Sequence, residues 1–322
     1  MSERYGISPI DLTGLKTISL TERGGKVRQQ DFARPWSPDS GISGFLDSLP
    51  HILAGDTLRE IAAAISAARD KKKPVIWGMG GHVIKCGLAP VLIDLMHRGY
   101  ATAFAMNGSG SIHDFEIAVA GHTSEDVEAV LPDGRFGAAE ETGREWNRAM
   151  SAAMAGQFGC GEALGRSLEL LAPAEHAPAS LLLQAWRARV PVTVHVAIGT
   201  DTPHTHPSAQ PAAIGAATHY DFRLFCSLVA ALNDGGVYIN AGSAVVMPEV
   251  FLKAVSSVRN LGHELRAFTT VNLDFIQHYR PRVNVVERPH AGAGGKGYSL
   301  TGHHEIMIPL LAAILRSQGT PS

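Results

Sequence analysis

The chain has 322 residues, of which 45% are hydrophobic and 18% charged, and its formal net charge is −2. This composition is that of an ordinary globular protein, and the lack of a basic stripe gives no support to binding of nucleic acid or of a membrane surface. Three scattered cysteines and an N-terminus without an apolar leader predict a soluble protein of the reducing cytoplasm, without a disulfide frame or a thiolate zinc site.

Residues 1–55 mix glycines and prolines with polar residues, which predicts an N-terminal arm with little regular structure and a short helix at its end. Such an arm either wraps its own domain or reaches a neighbouring subunit, and the pattern leaves both open. Residues 56–322 are predicted to form one nucleotide-binding domain. Its first helix is predicted at Thr57–Arg69 with Asp56 as the N-cap, and the lysine run before Pro74 ends it.

A unit of apolar strand, small-residue turn and helix then recurs along the chain. The predicted strands are Val75–Gly78, Ala101–Met106, Val190–Ile198, Gly236–Asn240, Arg266–Val271 and Val283–Glu287. The predicted helices are Val83–His97, Gly143–Met154, Ser167–Leu171, Pro248–Leu261 and Glu305–Ser317, and residues 124–189 are predicted to be a mainly helical insertion. This alternation predicts an α/β fold, a Rossmann-like parallel sheet with helices on both faces.

Several predicted strands end in Gly, Ser, Thr, Asn or Asp. Ligands bind at the carboxyl ends of parallel strands, and small residues let backbone N–H groups approach a phosphate. These turns therefore predict a nucleotide site on one sheet edge, although neither G-x-G-x-x-G in its usual context nor a P-loop is present. The turns are Gly78–Gly81, Asn107–Ser111, Thr200–Thr202, Asn240–Ser243 and Thr269–Asn272.

Five polar features each carry more than one interpretation. Asp201 either accepts hydrogen bonds from ribose hydroxyls or caps a turn, and Asp114 is closer to a helix-start cap. The His204-Thr205-His206 segment either lines a polar pocket or binds a cation, although no third ligand lies at a recognised spacing, and His303-His304-Glu305 raises the same question. Lys296, in a glycine loop, forms an imine or binds phosphate, or is simply solvated.

The order of these motifs resembles deoxyhypusine synthase and its bacterial relatives, including homospermidine-synthase-like enzymes, from about residue 56 to 317. The resemblance is carried by the segments Arg98–Asp114, Val190–Asp201, Gly236–Val246 and Thr269–Asn272. It implies a deoxyhypusine-synthase-like NAD-binding fold, a homotetramer with sites at subunit interfaces, and hydride removal from an amine followed by aminobutyl transfer. The NAD contacts that it implies are Asn107, Gly108, Ser109, Gly110, Thr200, Asp201, Gly242, Ser243, Thr270 and Asn272, and the glycine turn adds Gly80 and Gly81.

Departures from the family pattern concern its catalytic groups. The family's paired histidines fall on Pro248 and Glu249, its polyamine segment is replaced by His278–Pro281, and the segment of its catalytic lysine is at best Gly294–Lys296 without a tryptophan. We therefore predict an NAD-dependent transferase or oxidoreductase that acts on a small amine or related metabolite, by dehydrogenation and aminoalkyl transfer, rather than deoxyhypusine synthase itself. The predicted catalytic residues are Lys296, His204, Glu249 and His113.

Three rival functions fit the same sequence. The first is a polyamine aminobutyltransferase proper, the second a non-catalytic nucleotide- or metabolite-binding protein, and the third a metal-dependent hydrolase that uses His204 and His206. We expect a homo-oligomer, either a dimer or a tetramer, and no bound metal. The choice between NAD and NADP stays open, because no diagnostic acid or arginine is placed.

Overall fold

A six-stranded parallel sheet forms the centre of the protein. The computed structural model describes residues 4–318. Across the sheet the strands lie in the order β3-β2-β1-β4-β5-β6, and every neighbouring pair is parallel. The strands are β1 (Val75–Met79), β2 (Ala103–Asn107), β3 (Val192–His195), β4 (Val237–Ala241), β5 (Thr269–Asp274) and β6 (Lys296–Thr301). The prediction of a Rossmann-like parallel sheet is confirmed, and the strand order reverses between β1 and β4 as in doubly wound dinucleotide-binding folds.

Helices cover both faces of this sheet. Those of the first half are α1 (Gly41–Ser48), α2 (Ala54–Asp70), α3 (Gly81–Lys85), α4 (Ala89–His97), α5 (Gly108–Ala120), α6 (Val127–Val130) and α7 (Glu140–Gly156). Those of the second half are α8 (Cys160–Leu171), α9 (Leu181–Ala188), α10 (Pro211–Ala230), α11 (Val246–Asn260), α12 (Tyr279–Pro281) and α13 (His304–Gln318). Within residues 4–318, none of them combines the length and the hydropathy that a bilayer crossing requires.

Alternate side chains of β1, β2 and β4 enter two different hydrophobic cores. In β1, Trp77 and Met79 pack into the larger core with residues of α2, α4, α5, α8, α9 and α13. Ile76 points to the other face, where it joins Phe225 of α10 and Phe251 of α11. Because burial of one such side chain stabilises the fold by about 1.5–3 kcal/mol, both faces contribute, as a buried parallel sheet requires.

The prediction of the last strand, at Val283–Glu287, is wrong. Residues Arg282–Glu287 form a π-helical turn, and the sixth strand is Lys296–Thr301 instead. A short apolar run such as Val283–Glu287 does not distinguish strand from helix by its periodicity. The contact of this turn with β6 depends on Gly297, since a Cβ there would lie 2.0 Å from the carbonyl oxygen of Val286.

Two predicted helix boundaries also differ. Helix α2 begins at Ala54, so Asp56 lies in its first turn rather than at the N-cap, and its carboxylate pairs with Arg59 at 3.3 Å. The single helix predicted at Val83–His97 is two helices, α3 and α4, because the chain turns at Gly87 with a φ of +75°. Only a glycine enters that conformation without strain.

The segment between α5 and β3 is mainly helical, and one buried carboxylate of α5 binds the start of its helix α9. Asp114 of α5 accepts hydrogen bonds from Ser180 Oγ at 2.7 Å, Leu181 N at 2.7 Å and Leu182 N at 3.0 Å. Ser180 in turn accepts from Leu183 N as the N-cap of α9. Asp114 therefore caps the amino end of α9, a helix more than 60 residues further along the chain, rather than its own helix α5.

Candidate functional site

The carboxyl ends of the strands meet at one edge of the sheet. Met79, the last residue of β1, is in register with Met106 of β2 and with Ala241, the last residue of β4. The glycine turns that follow these strands therefore lie side by side. We call this set the carboxyl rim, and its residues are Gly80, Gly81, Asn107, Gly108, Ser109, Gly110, Thr200, Asp201, Gly242 and Ser243.

Backbone contact joins the β1 and β4 ends of the carboxyl rim, where the strand order reverses. Gly80 N donates to Ala241 O at 3.0 Å, and a Cβ on Gly80 would lie 2.2 Å from the carbonyl oxygen of Gly242. Gly242 has a φ of +65°, and its Cα faces the ring of His304, the first residue of α13. A side chain at Gly80 would force the two turns apart, whereas one at Gly242 would press against the ring of His304.

The turn after β1 also contacts the start of α5. A Cβ on Gly81 would lie 2.3 Å from Ser109 Oγ and 3.1 Å from His113 Cδ2. Asn107 caps α5, since its Oδ1 accepts from Gly110 N at 2.9 Å. The rim is therefore continuous from β4 through β1 to β2.

Asp201 covers the beginning of α5. Strand β3 ends at His195, so Asp201 lies on the following loop, where its Oδ2 accepts from Ala197 N at 3.1 Å. A Cβ on Gly108 would lie 2.1 Å from the same Oδ2. Burial raises the pKa of this carboxyl, while the hydrogen bond from Ala197 opposes the shift. The Asp201 carboxylate therefore lies against Gly108, at the start of α5 where the glycine turn was expected to face a phosphate.

A cleft of about 200 Å³ opens beside Asp201. It brings together predicted residues from two segments, namely Ser109 and His113 of α5 and Thr200 and Asp201 of the loop after β3. Lys85 of α3, which the sequence analysis missed, also lines it, and its ammonium forms no ion pair with any described residue. The remaining lining residues are Ile112, Glu116, Ser124, Glu125, Val127, Phe136 and Thr202.

His113 has a defined tautomer in this cleft. Thr123 Oγ1 donates to Glu116, and it lies 2.7 Å from His113 Nδ1, which must therefore be the donor of that second bond. The Nε2 atom then carries the lone pair. Burial and the charge of Lys85 lower the pKa of His113 to about 4, so the imidazole is neutral at pH 7 and able to accept a proton.

We expect His113 to titrate near pH 4 in the folded protein. Its stabilising effect as a neutral ring is complete above the pKa of an unfolded histidine, about 6.5, and is lost as the pH falls from there towards 4. Two-dimensional ¹H–¹⁵N NMR of the imidazoles checks this, with His113→Gln used for assignment. Protonation of His113 at pH 6 would contradict its burial.

His204 is half-buried, and neither of its ring nitrogens has a hydrogen-bond partner in the described chain. Its ring packs edge-on against Trp146 at a centroid distance of 5.7 Å. Burial lowers its pKa, and the nearby Asp201 opposes that shift. His206 is engaged elsewhere, with Ser208 Oγ at 2.7 Å and Glu140 Oε2 at 3.2 Å. Among residues 4–318, no third ligand group joins these two histidines.

Two predicted catalytic residues lie away from the cleft. Lys296 is the first residue of β6, in register with the first residue of β5, so it lies at the amino edge of the sheet and pairs with Glu60 at 2.6 Å. Glu249 bonds to Lys253, Arg280 and Asn284. Its pKa is lowered, first by Lys253, so it remains an ionised acceptor rather than a proton shuttle.

Two predicted cofactor contacts belong to the interior of β5. Thr270 donates to Val285 O at 2.7 Å, near the amino end of the strand. Asn272 accepts from Asn240 Nδ2 and donates to Gln277, each at 2.7 Å. Both are buried because β5 continues to Asp274, beyond its predicted end. Ser243 stays at the rim, but its hydroxyl accepts from Met247 N near the start of α11.

Comparison with solved structures supports the fold. A conserved LOR/SDH protein of Methanococcus maripaludis S2 superposes on 82% of this chain and 70% of its own, with a TM-score of 0.50 and 16% identity. Unliganded AgrE superposes on 81% of this chain with a TM-score of 0.51 and 18% identity, and the chain spans 32% of AgrE's length. No family model and no curated protein sequence matches the chain.

A third solved structure, described as a deoxyhypusine synthase of Entamoeba histolytica, covers 87% of this chain and 96% of its own at 11% identity, with a TM-score of 0.49. The parallel α/β fold is shared with the LOR/SDH protein and with AgrE, at 16% and 18% identity. Activity and ligands do not follow from such similarity.

Proposed function

We propose that the chain is an NAD-binding enzyme that dehydrogenates a small amine or a related metabolite, with aminoalkyl transfer as a second step. The observation that carries this proposal is the cleft beside the start of α5. There a buried carboxylate, Asp201, and a neutral imidazole, His113, meet at the sheet edge where doubly wound folds bind dinucleotides.

The cleft residues fit the ribose part of a dinucleotide better than its phosphates. Asp201 offers carboxylate oxygens to hydroxyl donors, and Ser109 adds a hydroxyl to the lining of the same cleft. Lys85, an exposed ammonium at the same cleft, suits a phosphate as a point charge. AgrE, which shares the fold, is also described in a ternary complex with ornithine and NAD⁺, which supports NAD as the cofactor class.

NAD⁺ accepts a hydride when bound, and the chain's own residues then handle the accompanying proton. Dehydrogenation of an amine to an imine releases a hydride from carbon and a proton from nitrogen. His113 Nε2 has the lone pair to take that proton, and the Glu116 carboxylate, 4.0 Å from Nδ1, stabilises the imidazolium that forms.

Two variants separate cofactor binding from proton transfer. We expect Asp201→Asn to weaken NAD binding about tenfold, because hydrogen bonds to a charged acceptor contribute about 1.5–3 kcal/mol. We expect His113→Gln to leave NAD affinity unchanged and to reduce amine turnover about 10²–10⁴-fold. Calorimetric titration with NAD and absorbance of NADH over a panel of small amines measure both. Asp133→Asn, at an exposed carboxylate paired with Arg135, is the matched control.

Four outcomes would count against this proposal or against a part of it. The absence of NAD binding by the folded wild-type protein would remove the cofactor, and binding without turnover of any amine would favour the non-catalytic nucleotide-binding protein. If the His113→Gln variant turned over amines at the wild-type rate, His113 would not be the group that accepts the proton. Imine trapping at Lys296 with borohydride would restore the aminobutyltransferase, despite the position of this lysine at the opposite edge.

A homo-oligomer remains part of the proposal, and the N-terminal arm supports it. The arm exposes large apolar side chains that its own domain does not cover, among them Ile10 at 84% and Leu20 at 75%. Exposed apolar surface of this kind favours contact with a second subunit. Sedimentation velocity of the full chain and of a chain that begins at residue 41 tests whether the arm holds subunits together.

A further inference from the structure

A second cluster of reactive side chains lies on the carboxyl edge, between α3 and the start of α13. His82 and Cys86 lie four residues apart, at one face of α3 and its C-cap, and Glu305 is in the first turn of α13. Cys86 Sγ lies 3.3 Å from His82 Nε2 and 3.9 Å from Glu305 Oε2, and all three ligand atoms lie within 4.8 Å of one another. It is the one such group of three among residues 4–318.

The separations between these atoms suit a tetrahedral metal ion. With Zn–S near 2.3 Å and Zn–N or Zn–O near 2.1 Å, tetrahedral angles place sulfur about 3.6 Å from each neighbouring donor atom. The two sulfur distances, 3.3 Å and 3.9 Å, lie on either side of this value. A thiolate, an imidazole and a carboxylate are all ligands that zinc takes.

The charges in the cluster argue against a cysteine nucleophile. In a Cys–His pair that forms a thiolate, the neighbouring charge is positive. Here the neighbouring charge is negative, because Glu305 Oε2 lies 3.9 Å from the sulfur. A bound dication reverses this situation, because it neutralises the carboxylate and stabilises the thiolate at once.

A buried polar atom without a partner lies next to the cluster. His304 is fully buried, its Nε2 lies 3.2 Å from Leu273 O, and its Nδ1 has no hydrogen-bond partner. Its ring packs against that of His82 at a centroid distance of 5.3 Å. Buried polar atoms are rarely left without a hydrogen bond. A metal-bound water would supply the partner that His304 Nδ1 lacks.

We propose that His82, Cys86 and Glu305 bind a zinc ion with one open coordination position at the carboxyl edge. Three protein ligands and an open position are the arrangement of catalytic rather than structural zinc sites. The ion would lie beside Gly242 and His304, on the same edge as the Asp201 cleft, where it polarises an oxygen or nitrogen of a bound molecule. This site does not depend on NAD binding at the cleft.

Metal binding by the full chain tests the proposal. We expect the tag-free protein to bind about one zinc ion per chain, and cobalt(II) in place of zinc to give a thiolate-to-cobalt absorption band. Mutation of a residue that hydrogen-bonds to a metal ligand costs about 10–100-fold in metal affinity. Cys86→Ser removes a ligand itself, so it should lower zinc affinity more than 100-fold and abolish the cobalt band. Cys226→Ser, at another half-buried thiol, should change neither.

Alkylation of the wild-type protein gives a second readout that does not depend on a folded variant. Iodoacetamide labelling followed by mass spectrometry should show that zinc protects Cys86 and leaves Cys226 unaffected. The proposal is overturned if zinc binding is undetectable, if the cobalt band survives in Cys86→Ser, or if zinc fails to slow the labelling of Cys86. NAD affinity measured on the same samples keeps this result separate from the cofactor proposal.

Discussion

Gly80→Ala is expected to destabilise the protein by about 3 kcal/mol or more and to abolish ligand binding at the rim. The added methyl group would lie 2.2 Å from the carbonyl oxygen of Gly242. The position of the methyl group is fixed by the backbone of residue 80, and the oxygen belongs to the backbone of residue 242, so no side-chain rotation can relieve the clash. Overpacking of a well-packed site commonly costs about 1–3 kcal/mol. Here the two turns must separate at the point between β1 and β4 where the strand order reverses. The loss of unfolding free energy is therefore expected at the upper end of the overpacking range or above it.

The control is the same substitution in a helix. Gly215 lies in α10, with nothing within 4 Å of its Cβ position, so Gly215→Ala should stabilise by about 0.4–1 kcal/mol. Urea unfolding followed by circular dichroism measures both variants. Equal effects of the two substitutions would show that the β1 and β4 turns do not pack as tightly as described.

Asp114→Ala is expected to cost about 4 kcal/mol of unfolding free energy. The substitution leaves the Ser180 hydroxyl and the amides of Leu181 and Leu182 without their acceptor in a fully buried place. Each unsatisfied buried group costs about 1–3 kcal/mol, and the three share one site, so the costs are not simply additive. The helices between α5 and β3 should loosen first, which hydrogen exchange detects.

The cost of Asp114→Ala should also depend on pH. Burial raises the pKa of Asp114 to about 6, above its unfolded value of 3.8. A group with a raised folded pKa gives its full stabilisation below the unfolded value and loses it as the pH rises through the folded value. The difference between wild type and Asp114→Ala should therefore be larger at pH 5 than at pH 8.

Asp126→Ala is the matched control for this substitution. Asp126 is an exposed N-cap whose carboxylate accepts from Ala129 N at 3.3 Å, so its loss should cost only about 0.5–1 kcal/mol at either pH. If the two alanine variants unfold alike, the buried cap at Asp114 contributes no more than an exposed one.

The sequence alone was sufficient for the strands of the sheet centre and for the rim that follows them. Apolar runs such as Val75–Gly78 are short, buried on both faces and followed by glycines, so local pattern decides them. The apolar run at Val283–Glu287 misled, because its periodicity fits strand and helix equally. The pair His82 and Cys86 carried a ligand-like spacing of four residues that could have been noticed, but Glu305 joins it only through the packing of α13.

What the sequence determined was therefore the class of fold and the edge on which small residues gather, since strand alternation and glycine turns are local properties. The tertiary structure decided which side chains meet there. In the folded chain, Asp201 lies against Gly108, and His113 lines the cleft. Lys296 lies at the opposite, amino edge of the sheet, and Asn272 is buried within β5. Those outcomes depend on strand order and on where each strand ends, and both are set by long-range packing that no single segment encodes.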